Sequence, residues 1–184
     1  MSGRRSKPAL SSSVGMGPVG QGGFEELAPD NLGVVSQQGV AGQDDSTMNA
    51  FHEAYRNYSN KRYDEALAKF SSFIHDNSQH PYADNAVFWR GECHLAKGKF
   101  FKAIGEFERL FRRYPKSEKV PSGLYRAGFA YDQLRDRAKA LEYYFRVVDK
   151  HPGTDAARRA SLRVSAIEGK GGRVSNLLPT AAKR

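Results

Sequence analysis

Between residues 47 and 168 apolar side chains return with helical spacing, and the whole pattern returns again 37 residues further on. Ala66 falls on Ala103 and then Ala140, Leu67 on Ile104 and Leu141, and Phe70 on Phe107 and Tyr144. Phe73 falls on Leu110 and Val147, and Ile74 on Phe111 and Val148. Ala54, Gly91 and Gly128 keep the same offset, as do Ala50, Val87 and Leu124, and Pro115 meets Pro152. No gap is needed, so the segment reads as an array of three related units.

Each unit carries two helical stripes. In the second unit Val87, Gly91 and His94 recur at i, i+4, i+7, and Ala103, Phe107, Leu110 and Phe111 at i, i+4, i+7, i+8, which predicts a pair of amphipathic helices. A short turn, Lys97-Gly98-Lys99, separates them, and Tyr114-Pro115 and His151-Pro152 close the second and third units, where proline cannot continue a helix interior. Pro81 and Pro121 suit the first turn of the helix that follows. The small residue at Ala54, Gly91 and Gly128 lets the two helices of a pair approach closely, with Ala66, Ala103 and Ala140 facing the gap. One unit alone buries too little, and stacking completes its core. After Pro152, Thr154 can cap one more helix with Asp155 near its positive end. Its apolar face, Ala156, Ala157, Ala160, Val164 and Ile167, reads as a cap on the last unit.

These residues resemble tetratricopeptide repeats, with Ala66, Ala103 and Ala140 at the alanine position, Gly91 and Gly128 at the small one, Phe70, Phe107 and Tyr144 at the aromatic one, and Pro115 and Pro152 at the proline. The resemblance implies an all-α, right-handed solenoid of three helix pairs plus a C-terminal capping helix. The expected boundaries are 47–83, 84–120 and 121–153, with the cap over 154–168. A narrower resemblance lies in the linking segments Asn85 to Cys93, Tyr114 to Pro121 and His151 to Ala157, which look like the C-terminal domain of the CpoB (YbgF) family. That resemblance implies a periplasmic protein of the Tol-Pal system that contacts TolA and links peptidoglycan synthesis with outer-membrane constriction during division. The family's trimer-forming coiled coil has no counterpart in residues 1 to 46, so trimerisation is not carried over.

The resemblance also assigns a concave groove to the first helix of each pair. Candidate peptide-binding residues there are Phe51, Tyr55, Tyr58, Phe88, Trp89, Glu92, Tyr125, Arg126 and Phe129. A carboxylate clamp is rejected, because Phe51, Tyr55 and Glu92 stand where Lys, Asn and Arg would be needed. The expected ligand is an extended or helical peptide on aromatic anchors.

Composition narrows the setting. The formal charge of +9 divides into −2 over residues 1 to 46, +6 over 47 to 153 and +5 over 154 to 184. The excess is diffuse in the middle, with one cluster at Arg109, Arg112, Arg113, Lys116 and Lys119, so a solvated face is expected and no nucleic-acid partner. Residues 1 to 46, rich in Gly, Ser and Pro, read as disordered, and 169 to 184 as a basic tail. Neither an apolar leader near Met1 nor a membrane-spanning run is present in the sequence. One cysteine, Cys93, excludes an internal disulfide framework and reads as a buried thiol. His75, His80, Cys93 and His94 are spread by the repeat spacing, so no metal is expected. No phosphate loop, nucleophile pair or cofactor motif stands out. The expectation is a non-enzymatic interaction scaffold without a cofactor, with a cytoplasmic regulatory adaptor as the alternative setting.

Overall fold

The computed structural model describes residues 43 to 171, with side chains from 46 to 169. Seven α-helices follow one another and no strand occurs among these residues: α1 (Gln43–Ser59), α2 (Tyr63–Asp76), α3 (Ala83–Ala96), α4 (Phe100–Arg113), α5 (Val120–Gln133), α6 (Arg137–Lys150) and α7 (Asp155–Gly171). Each packs on the next, and α7 also touches α5. This is the expected all-α solenoid: three helix pairs, α1/α2, α3/α4 and α5/α6, capped by α7. Helix α1 starts four residues ahead of the boundary expected at 47, and α7 runs three past 168. The expectations for residues 1 to 42 and 172 to 184 lie outside the described residues.

The core follows the 37-residue register. Ala66, Ala103 and Ala140 are fully buried, as are Phe70, Phe107 and Tyr144, and they form one continuous cluster with Phe73, Leu110 and Val147. The small residues have the expected role, with one refinement: the group pressed on them is the aromatic ring of the second helix. A Cβ added at Gly91 would stand 2.5 Å from Phe107 Cε1, and one at Gly128 would stand 2.8 Å from Tyr144 Cδ1. Both distances lie inside any carbon–carbon contact, so a side chain there would force the pair apart.

The helix ends are set locally. Thr154 caps α7 as expected, its Oγ1 accepting from Ala157 N at 3.1 Å, and Asp136 caps α6 by accepting from Lys139 N at 3.1 Å. Pro121 sits in the first turn of α5, whereas Pro81 falls in the turn ahead of α3. All three turns within a pair close the same way. Arg62 N donates to Asn57 O, Lys99 N to His94 O and Asp136 N to Tyr131 O, at 2.8, 2.8 and 3.0 Å. The residue before each donor, Lys61, Gly98 or Arg135, has φ of 61, 67 or 61°. This is a Schellman ending, which needs a left-handed residue.

Only the second unit fills that position with glycine. The side chains of Lys61 and Arg135 are held where an L-residue is disfavoured by about 1 to 2 kcal/mol. After allowing for glycine's larger unfolded-state entropy, Lys61→Gly and Arg135→Gly are each expected to raise stability by about 0.5 to 1 kcal/mol, and Gly98→Ala to lower it by a similar amount. Thermal melts check this, and a loss of stability in both glycine variants would reject the account.

Candidate functional site

Tyr55 and Tyr58 lie one turn apart on α1 and meet Trp89 of α3, with ring centroids 4.8 and 4.9 Å away and planes inclined by 69° and 56°. Such inclined contacts set the positive rim of one ring against the negative face of another. Tyr63, at the start of α2, adds a fourth ring 5.8 Å from Tyr58. On α5, Tyr125 and Phe129 are also one turn apart, and Tyr125 packs 5.7 Å from Tyr144 of α6. Tyr55, Tyr58, Trp89, Tyr125 and Phe129 are all half-buried. Tyr55, Tyr58, Trp89 and Phe129 give the first helices a face that is aromatic and reachable, whereas Tyr125 holds the register position of Phe51 and Phe88 and turns toward α6, with part of its ring still accessible.

Phe51 and Phe88, placed on that face by sequence, belong to the core. Each is 2% exposed. Phe51 is surrounded edge-on by Phe70, Phe73 and Tyr82 at 5.6, 5.5 and 5.3 Å, and Phe88 lies 5.8 Å from Phe107 of α4. The reason is angular. Neighbours on a helix are separated by about 100°, so Phe88 and Trp89 cannot share one face, and the residue turned toward the second helix is the one enclosed.

Glu92 and Arg126 are also buried. Arg126 Nε of α5 stands 3.0 Å from Glu92 Oε1 of α3, charge against charge but without hydrogen-bond alignment. Burial pushes the Glu92 carboxyl up while Arg126 pulls it down. The Tyr58 phenol is pushed up too, first by burial and then by the Glu92 charge. Sequence reading missed a second pair, Asp132 of α5 with Arg163 of α7.

The 37-residue register unites these contacts. Trp89, Arg126 and Arg163 occupy one repeat position. Their partners on the preceding first helix are Tyr55 and Tyr58, then Glu92, then Asp132. Successive first helices are therefore joined at one place by rings, then by a buried ion pair, then by a half-buried one. The signal available in the sequence is the 34-residue spacing of Glu92 and Arg126, identical to that of Tyr55 and Trp89.

The reactive groups nearby are subdued. Burial and then Glu92 push the Cys93 thiol up to about 12, so it is not a thiolate at neutral pH. Burial, followed by Arg90, Lys102, Lys99 and Lys97, pushes the His94 imidazole down to about 4, and its Nδ1 is buried without a partner. Arg90 is paired with Glu106 of α4 at 2.7 Å, and the Glu106 carboxyl is pushed up by burial against the pull of Arg90. Among the described residues no three His, Cys, Asp or Glu side chains gather where one metal ion could reach them, and no helix is long and apolar enough to cross a membrane. In the basic cluster Arg112, Arg113 and Lys116 are exposed, while Lys119 lies over Phe88, 6.0 Å from the ring centre.

Residues 85–117 and 122–154 match the family model described as tetratricopeptide repeat. These two units are tetratricopeptide repeats. Helices α1 and α2 form the same kind of helix pair one register earlier. A comparison with curated protein sequences gave no match. Among solved structures, the type III secretion translocator chaperone SycD of Yersinia enterocolitica is 20% identical, with a TM-score of 0.60 over 70% of this chain and 96% of that one. The first tetratricopeptide domain of Spaghetti (RPAP3), bound to the HSP90 peptide SRMEEVD, is 17% identical, with a TM-score of 0.56 over 68% and 93%. PcrH, in complex with the chaperone-binding region of PopD, is 16% identical, with a TM-score of 0.58 over 73% and 98%. These likenesses show the fold.

Glu92→Ala, which strands Arg126 in the interior, is expected to destabilise the domain by about 3 to 5 kcal/mol in urea titration. Combining Glu92→Tyr with Arg126→Trp installs the pair that the first unit carries, and is expected to recover most of that loss. A double variant no more stable than Glu92→Ala would refute the equivalence of the positions.

His94 gives a pH test of defined sign. Its imidazole is neutral in the fold down to about pH 4 but protonates in the unfolded chain near 6.5. Its contribution is therefore full above pH 6.5 and is lost as pH falls toward 4. Glu92 and Glu106, raised by burial, act in the opposite sense, so the comparison that isolates His94 is with His94→Gln. The variant is expected to show a shallower loss of its urea midpoint between pH 6.5 and 4, and parallel profiles would remove His94 from the account.

Proposed function

We propose that the protein is a non-enzymatic interaction scaffold that takes a peptide of a partner protein across the first-helix face. The observation that carries this is the set of half-buried rings, Tyr55, Tyr58 and Trp89 on α1 and α3 and Phe129 on α5. Rings already packed on one edge lose little side-chain entropy when a ligand covers the other, which suits them as anchors. Peptide complexes among the structural neighbours support the same reading. The finer setting we propose is the cell envelope: the linking segments around Trp89, Pro115 and Pro152 are similar to the CpoB family, which favours a periplasmic location and TolA or a peptidoglycan-synthesis protein as partner.

The test is selection of binding peptides from a displayed library on the full chain, followed by affinity measurement on variants, with the periplasmic domain of TolA assayed beside them. Joint Tyr55→Ala and Phe129→Ala replacement is expected to weaken selected peptides by several hundred-fold, at about 2 kcal/mol per anchor. Phe101→Ala, which alters a ring 75% exposed on α4, is expected to leave binding unchanged. Peptides sensitive to Phe101→Ala and indifferent to the double variant would place recognition on the other helices. TolA binding that is lost in the double variant would support the envelope setting.

A further inference from the structure

The first turn within a pair is filled with rings. Tyr58, Tyr63 and Trp89 gather beside it, with centroids 5.8 Å apart for Tyr58 and Tyr63 and 4.9 Å for Tyr58 and Trp89. One register later the same positions hold Leu95, Phe100 and Arg126, and two registers later Asp132, Arg137 and Arg163. Every ring has been replaced by a charged side chain. Beside the turn of the third unit lies an open cleft of about 370 Å³, lined by Asp132, Gln133, Arg135, Arg137 and Arg163. From this we infer that the cleft at the turn between α5 and α6, bordered by Arg163 of α7, is a binding site for a small oxyanion, a phosphate or a carboxylate group.

The charge balance supports this choice. Three arginines face one carboxylate, and that carboxylate is already paired with Arg163. The next acid in sequence, Asp136, is engaged in capping α6 through Lys139 N. No acidic side chain among the described residues lies within ion-pair distance of Arg135 or Arg137, and both are exposed. Arg137 opens α6, whose positive end is already met by the Asp136 cap, so the excess charge at the cleft is that of Arg135 and Arg137. A cation is disfavoured by this excess, and an apolar ligand would meet a lining made only of Arg, Gln and Asp. Oxyanions instead match the forked donors of arginine.

The inference does not depend on the peptide reading, since it concerns another set of side chains at the end of the array.

The experiment is a titration of the isotope-labelled full chain with inorganic phosphate and, separately, with glutarate, at ionic strength held constant with sodium chloride. Amide signals of Arg135, Arg137 and Lys139 and the Nε–H signal of Arg163 are followed by NMR. Saturable shifts confined to this group are expected. Arg137→Gln and Arg135→Gly are each expected to weaken binding about tenfold or more, while Arg112→Gln on α4 leaves it unchanged. Arg135→Gly is expected to be more stable than the parent, so a lost response there cannot be assigned to unfolding. Saturation by phosphate alone identifies a phosphoryl ligand, saturation by glutarate alone a carboxylate, and either upholds the site. Shifts that stay linear in ligand, or that are equal in Arg112→Gln and Arg137→Gln, report general screening and overturn it.

Discussion

The constraint on which the rest depends is the contact of an aromatic ring with a residue that has no side chain. Phe107 lies on Gly91, and Tyr144 lies on Gly128, closely enough that a single added carbon would collide with the ring. That contact fixes the separation of the two helices in a pair. With the separation fixed, the turn between them has one geometry, which is why the same Schellman ending and the same left-handed residue recur at Lys61, Gly98 and Arg135. With the pair rigid, its remaining apolar surface can be covered only by the next pair, and the 37-residue register propagates along the chain.

Because ring-on-glycine packing holds the second and third pairs together, with the buried Ala54 and Phe70 at the same positions in the first, the opposite side of the first helices is released from that duty. The position occupied by Trp89, Arg126 and Arg163 illustrates the freedom. It always faces the preceding first helix, yet it joins to rings, to a buried acid and to a half-buried acid in turn. An aromatic contact tolerates sliding, whereas a buried charge whose only compensation is one carboxylate does not. The relation between the second and third units is therefore held by a more directional contact than that between the first and second, at the expense of desolvating two charges.

The fold was legible because its signal is repeated. Three copies of Ala66, Phe70 and Phe73 in one phase outweigh any local ambiguity, and the cap could be read from Thr154 and Asp155. The site was legible only in part, and the failures have physical causes. Phe51 and Phe88 were placed on the groove because a repeat pattern assigns positions, whereas burial depends on which side of a helix meets the neighbouring ring, an angle of one residue. Glu92 and Arg126 looked like groove polar residues because a buried ion pair has no hydrophobic signature. The turn geometry at Lys61 and Arg135 was hidden because only Gly98 announces a left-handed residue by its type.

The same reasoning explains where variation in this array accumulates. Positions facing the second helix are held to small or aromatic residues by sterics, and substitution there is felt as strain or as a cavity. Positions facing the preceding first helix are limited only by the need for some complementary partner, so rings, ion pairs and open polar space all meet the requirement. From Tyr58, Tyr63 and Trp89 to Asp132, Arg137 and Arg163 the chain passes from the first of these solutions to the last without changing the register. Chemistry placed on this face costs the fold little, and that makes it the part of the molecule on which recognition can be built.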